Sequence, residues 1–355
     1  MAGNALLIYG ANGYTGSLIV ARAAALGLQP IVAGRREAAI RPLAERHGLP
    51  FRAFDLADRE AAERGLAGAG ALLLAAGPFS ATSAPAVDAC LATRTHYIDI
   101  SGEVAVFEAV QRRDQEARHA GITLLPGAGF DVVPSDCLAL GLHRALPGAT
   151  QLTLAIAVEG RPGPGTLKTA VEGAAEGGWV RREGRLVNVP AAWRSRQIPF
   201  AGGPRWAMTI PWGDLSTAYW STGIPNIEVY MAAPRAAIAA ARLGRSVAAL
   251  LRRPGLQAVI KRAIDATITG GDAAVRAAGS SQVWGRAEAP GGASVEGLVT
   301  TLETTTLTAY TTLDIALRIL KGETTPGYTT PGLAFGAGYL QTLPSTRLTL
   351  HEVSR

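Results

Sequence analysis

The stretch Ala5-Leu-Leu-Ile-Tyr9, followed by Gly10-Ala-Asn-Gly13-Tyr-Thr-Gly16, decides the fold. An apolar run of strand length ends at glycines spaced G-x-x-G-x-x-G, and a helical pattern follows from Ser17 to Leu26. A phosphate-binding strand–turn–helix needs this order. Gly10 permits the tight turn, Gly13 lets the backbone approach a pyrophosphate, and Gly16 lets the helix pack close to the sheet. Asn12, Tyr14 and Thr15 complete the loop, and the positive end of the helix faces the anion. A second strand, Pro30-Ile-Val-Ala-Gly34, ends in Arg35-Arg36. A carboxylate there would hydrogen-bond the ribose 2′-hydroxyl of NAD, whereas a guanidinium forks onto a 2′-phosphate. The expected cofactor is therefore NADP(H), with Arg35 on the phosphate and Arg36 against the adenine.

The alternation continues outward. Helices are expected over 36–47, from the N-cap Asp58 to Leu66, over 84–93 and over 104–120. Strands are expected at 51–54, 71–76, 96–99 and 122–125. Ala71–Ala76 is continuously apolar, as a strand buried on both faces must be. Six strands alternating with helices predict a Rossmann-type, doubly wound parallel sheet. Ligands of such sheets sit beyond the carboxyl ends of the strands. Asp55 and Leu56 are expected to flank the adenine, and Gly77 and Pro78 to lie along the ribose and nicotinamide.

Past Pro126 the pattern changes to longer alternating strands, at 152–158, 179–182, 186–189, 227–231, 282–289 and 294–302. They predict a second α+β domain on a mixed or antiparallel sheet, with a helix over 164–177. Residues 234–269 read as basic helices, with seven Arg or Lys against Asp265 alone. Such a pair suits a membrane surface, an acyl carrier or a solvated cap. A helix over 307–320, a helix opened by Thr330-Pro331 and a strand over 347–350 close the chain, the last helix returning to the first domain. The expected domains are 1–126, 127–325 and 326–355.

Composition limits the function. Of 355 residues 48% are hydrophobic, enough for two domains with a large core. No apolar run reaches the length of a membrane span, and no signal peptide precedes the first strand. Cys90 and Cys137 read as core residues of a reduced, cytoplasmic protein, and no metal-ligand spacing appears. The net charge of +6 comes almost entirely from arginine, only Lys168, Lys261 and Lys321 being lysine. No aromatic–basic pattern accompanies it, so nucleic acid is not the expected partner.

Five motifs in order resemble those of the saccharopine dehydrogenase-like oxidoreductases, which include trans-acting enoyl reductases. They are Gly10–Gly16, Ala33-Gly-Arg-Arg36, Ala76-Gly-Pro-Phe79, Tyr97-Ile-Asp-Ile-Ser-Gly-Glu103 and Gly129-Phe-Asp-Val-Val-Pro-Ser-Asp136. Gly327-Tyr-Thr-Thr-Pro331 and Phe335-Gly336 fit the carboxyl-terminal part, while residues 160–290 fit loosely. The resemblance implies an N-terminal NADP-binding domain, a mixed second domain that also makes a homodimer, and an active site between them.

Hydride transfer leaves charge on the acceptor, so a proton or hydrogen-bond donor is needed. Tyr-x-x-x-Lys is absent: Pro164, Gln257 and Leu317 stand four residues before the lysines. Reduction of an activated C=C or C=N bond, an enoyl thioester or an imine, is the expected chemistry, with Ser101, Glu103, Asp131 and Lys168 as candidate catalytic donors. Trp179, Trp193, Trp206, Trp212, Tyr219 and Trp220 favour an apolar substrate over a polycarboxylate. The alternative is an NADP(H)-binding sensor without turnover.

Overall fold

The computed structural model describes residues 5–158, 177–243, 276 and 279–353. It divides into two units, one of 1–133 with 305–334 and one of 134–304 with 335–355. The first unit begins with β1 (Ala5–Tyr9), α1 (Tyr14–Ala25), β2 (Ile31–Gly34), α2 (Glu37–His47), β3 (Phe51–Ala53) and α3 (Arg59–Leu66). β4 (Ala69–Leu74), α4 (Phe79–Thr93), β5 (His96–Asp99), α5 (Val104–Gln111), α6 (Asp114–Ala120) and β6 (Thr123–Leu125) follow. The strands lie in the order β3-β2-β1-β4-β5-β6, all parallel. This is the doubly wound order, with its switch point between β1 and β4. Every residue of β4 is buried, because helices cover both faces of the sheet.

Two helices differ from expectation. α4 starts at Phe79, not Ala84, because the Glu103 carboxylate accepts the Phe79 and Ser80 amides at 3.0 and 2.9 Å. A helix start whose first amides are satisfied in this way can precede Pro85 by two turns. The expected single helix over 104–120 is two. At the break Arg113 bonds Asp88 of α4 at 2.6 Å and Glu116 at 2.5 Å.

The second unit is built from α7 (Val133–Ala145), β7 (Gln151–Val158), β8 (Gly178–Arg182), β9 (Arg185–Val189), β10 (Ser195–Phe200) and β11 (Gly203–Thr209). α8 (Asp214–Thr222), β12 (Asn226–Ala232), α9 (Arg235–Leu243), β13 (Ser280–Glu288) and β14 (Ser294–Leu302) continue it. β7 and β12 are parallel and the other pairs antiparallel, so the sheet is mixed. Leu138 and Leu142 of α7 lie over Gly285 on one face. Ala155, Ile198, Phe200, Tyr230 and Trp284 form an apolar cluster on the other. β10, β11 and α8 were not anticipated. Pro199 faces Pro204 across the β10–β11 hairpin, and a proline hides a strand's signature while being tolerated at an edge.

The carboxyl-terminal part returns to both units. α10 (Thr304–Leu320) and β15 (Gly327–Tyr328) join the first, β15 extending its sheet beside β6. After α11 (Pro331–Phe335) and α12 (Tyr339–Thr342), β16 (Arg347–Val353) pairs with β14 in the second sheet. The segment expected to return from 326 thus starts returning at α10 and leaves again after α11. The Thr330 hydroxyl accepts the Leu333 amide at 3.2 Å, the expected cap. Residues 164–176 of the helix expected over 164–177, and residues 244–269 of the basic stretch, lie outside the described residues.

Candidate functional site

In a parallel sheet the loops that follow the strands emerge along one edge. At the switch point, β1 runs into Gly10, whose φ of +80° is left-handed. A Cβ there would fall 2.7 Å from the Ala76 nitrogen of the loop after β4, so the two loops touch only because residue 10 is glycine. A Cβ on Gly16 would collide with the Gly10 carbonyl oxygen, so α1 sits directly on the turn. Gly13 is the N-cap and offers no side chain. No side chain caps the start of α1, where the positive end of the helix dipole lies, and Asn12 lies in the turn before it. Gly10 and Ala11 both donate to the Ala33 carbonyl of β2, at 2.9 and 3.2 Å, which fixes the turn against the second strand.

Arg35 and Arg36 follow β2 and are exposed. The Tyr9 hydroxyl donates to the Phe54 carbonyl at 2.8 Å and brings the ends of β1 and β3 together. Burial and then the Asp55 carboxylate push the Tyr9 phenol up, while the Leu56 amide and Arg35 oppose them. Arg35 and Asp55 thus converge on one point at the end of β2 and β3. Asp55 also accepts the Ala57 amide at 3.0 Å. Leu56 is buried in the unit's core. Gly77 and Pro78, joined by a cis peptide, are exposed at the end of β4.

The loops after β5 and β6 are tied together by Asp99, which is fully buried. One carboxylate oxygen accepts the Tyr97 hydroxyl at 2.6 Å. The other accepts the Ser101 amide at 2.9 Å and the Gly127 amide at 2.8 Å. Its main-chain carbonyl accepts the Ala128 amide at 2.7 Å. Burial raises the Asp99 carboxyl and these hydrogen bonds oppose the rise. α10 holds the same loop from the other side: the Thr308 hydroxyl accepts the Phe130 amide at 3.0 Å, and Thr311 donates to the Ala128 carbonyl at 2.7 Å.

The candidate donors fall in different places. Ser101 is buried, and its hydroxyl accepts the Glu103 amide at 3.0 Å. Glu103 caps α4. Asp131 stands at the end of the braced loop, half-buried, with its carboxylate on Gly102. A Cβ on Gly102 would lie 2.8 Å from Oδ2. Burial pushes the Asp131 carboxyl up to about 7. Lys168 lies outside the described residues. Tyr97 and Asp99 stand in a motif quoted from the sequence but received no role there, and Thr308 and Thr311 were not named. For the first two the signal was there, since residues two apart on a strand share a face. α9 is the described part of the basic stretch. Its Arg235 lies 4.5 Å over the Trp206 ring, and its Arg242 donates to Ser195 at 2.8 Å.

A turn that admits no Cβ, an uncapped helix start and two arginines past β2 fit a dinucleotide carrying a 2′-phosphate. They define a Rossmann-type cofactor-binding unit. Residues 6–125 match the Saccharopine dehydrogenase NADP binding domain. A Mycobacterium tuberculosis protein provisionally named a trans-acting enoyl reductase is 28% identical over 158 residues, 42% of this chain and 38% of that one. A human saccharopine dehydrogenase-like oxidoreductase is 24% identical over 210 residues, 52% of this chain and 49% of that one. The chain thus spans about two-fifths to half of the length of these curated relatives. In fold it is similar to apo saccharopine dehydrogenase (L-Glu forming) from Saccharomyces cerevisiae, with a TM-score of 0.68 and 13% identity over 99% of this chain and 100% of that one.

Proposed function

We propose that the chain is an NADPH-dependent reductase that saturates an activated C=C or C=N bond, an enoyl thioester or an imine, with Asp131 supplying the proton. The observation that carries this reading is the position of Asp131. Its carboxyl stands at the same edge of the sheet as the dinucleotide cradle, on a loop fastened by Asp99, Thr308 and Thr311. NADPH, when bound, supplies the hydride and becomes NADP⁺. The protein delivers the proton, to the α-carbon of an enoyl thioester or to the nitrogen of an imine, and Asp131 regains it from solvent. An acid of pKa about 7 holds a proton near neutral pH and releases it readily. Ser101 and Glu103 are positioning residues: the first sets the turn, the second holds the start of α4 beside Gly77 and Pro78. The name of one relative, a trans-acting enoyl reductase, and the aromatic content of the second unit support the enoyl thioester.

The test is NADPH oxidation by the full chain against two pools. One holds enoyl thioesters on coenzyme A and on a carrier protein; the other holds 2-oxo acids mixed with amines. Turnover with the first is expected. Turnover with the second alone moves the substrate to imines, and tight NADPH binding with turnover in neither supports a sensor instead.

A further inference from the structure

The second sheet branches. β12 pairs with β11 over Tyr230–Ala232 but with β8 at Ile227, so β8 and β11 diverge from the same strand. The branch leaves a notch of about 760 Å³, within the range of small-molecule sites. Its lining includes Arg181 and Arg182 of β8, Arg196 of β10, and Arg194 from just before β10.

Among the described residues, the carboxylates of the notch are engaged while two of its guanidinium groups have no carboxylate partner. Glu228 is already engaged, accepting Arg194 at 2.9 Å and the Tyr230 hydroxyl at 2.6 Å. Glu288 is paired with Arg286 at 3.0 Å. Arg181 is buried and committed to the backbone, donating to the Leu215 carbonyl at 2.5 Å and the Gly184 carbonyl at 2.7 Å while lying 4.2 Å over the Tyr219 ring. Arg182 and Arg196 have aromatic neighbours, Trp193 at 5.9 Å and Trp284 at 6.0 Å, and no carboxylate partner among the described residues. Two guanidinium forks therefore face a cavity whose carboxylates are already spoken for. Guanidinium geometry matches planar carboxylates and phosphates.

We propose that this notch is a binding site for a small anion bearing a carboxylate or phosphate group, held by Arg182 and Arg196. Arg181 and Arg182 stand out in the sequence as candidate carboxylate-holding cations, but their convergence with Arg194 and Arg196 depends on where β8 leaves β12.

Full-length protein saturated with NADPH, so that the dinucleotide cradle is filled, is titrated calorimetrically at low salt with glutarate and with inorganic phosphate. Saturable binding of one probe is expected; preference for glutarate identifies a carboxylate ligand, preference for phosphate a phosphoryl ligand. The Arg182→Gln/Arg196→Gln variant should bind the preferred probe at least about tenfold more weakly, with NADPH affinity unchanged. Arg182→Gln alone, an exposed change, should show a smaller loss in the same direction and serves if the double variant folds poorly. No saturable binding of either probe, or equal affinity in the variants, overturns the proposal. The readout is binding, so either result leaves the reductase activity to its own test.

Discussion

Two regions of the first unit face the same edge of its sheet and work by opposite means. Around the switch point, the turn after β1 packs against the loop after β4 and the start of α1, and admits no Cβ at Gly10 or Gly16. Around β5 and β6, the loops carry three carboxylates, Asp99, Glu103 and Asp131, each in a different state of engagement. The first region is complete when the backbone is in place. The second depends on which carboxyl is buried, which is bonded and which can change its protonation. A phosphate needs fixed dipoles, whereas proton transfer needs a group whose charge can change. Substitutions in the two regions should therefore separate cofactor binding from turnover.

The largest effect is expected at Asp131. Asp131→Asn removes the acid while keeping the shape, and should lower turnover about 10²–10⁴-fold with little change in NADPH affinity. The pH profile sharpens this. A donor must be protonated, so wild-type turnover should fall as pH rises through about 7 and hold below it. Asp131→Asn should lose that limb, and stopped-flow NADPH oxidation across pH reads it directly. An unchanged limb would remove Asp131 from the chemistry. Gly102→Ala puts a methyl against the same carboxylate and should displace it, shifting the limb without touching the dinucleotide cradle.

Asp99 comes next. Replacing it with leucine leaves the Ser101 and Gly127 amides buried without their acceptor, at roughly 1–3 kcal/mol each. The loss should appear both as a lower chemical-denaturation midpoint and as slower turnover, because the loop that carries Asp131 loosens. Asp99→Asn can keep its oxygen toward the two amides and its nitrogen toward the Tyr97 hydroxyl, so it should recover most of both. Equal damage from leucine and asparagine would show that the charge, and not the hydrogen-bond pattern, holds the loops.

The two regions were unequally legible in the sequence. Glycine spacing after an apolar run announces a phosphate loop because all the requirements are local: the turn, the close approach and the helix start lie within Gly10–Gly16. Asp58 capping α3 and Thr330 capping α11 were readable for the same reason. Glu103 was visible as a charged residue in a loop. Its task was not, because its partners, Phe79 and Ser80, lie 24 and 23 residues away. The bracing of the Asp131 loop by Thr308 crosses 178 residues. Nothing in a run of threonines says which loop they will meet. β10 and β11 were missed for a local reason, their facing prolines.

The smallest effect is the one that most finely divides the cradle itself. In the proposed reading Gly10–Gly16 would hold any dinucleotide pyrophosphate, while Arg35 would discriminate by the 2′ position. Arg35 is exposed, and Asp55 stands close enough that both act on the Tyr9 hydroxyl. Solvent and the neighbouring carboxylate each weaken an arginine–phosphate pair, which places the value near the low end of the 1.5–3 kcal/mol typical of charged hydrogen bonds. Arg35→Ala should thus weaken NADPH binding about tenfold and leave NADH binding nearly unchanged. Asp55→Asn should act in the opposite direction, tightening NADPH by removing a nearby negative charge, more at low ionic strength than at high. Fluorescence titration with both nucleotides measures all four quantities. Equal losses for NADPH and NADH in Arg35→Ala would mean that the arginine supports the cradle's shape and that the 2′-phosphate is held elsewhere, with Arg36 the next residue to replace.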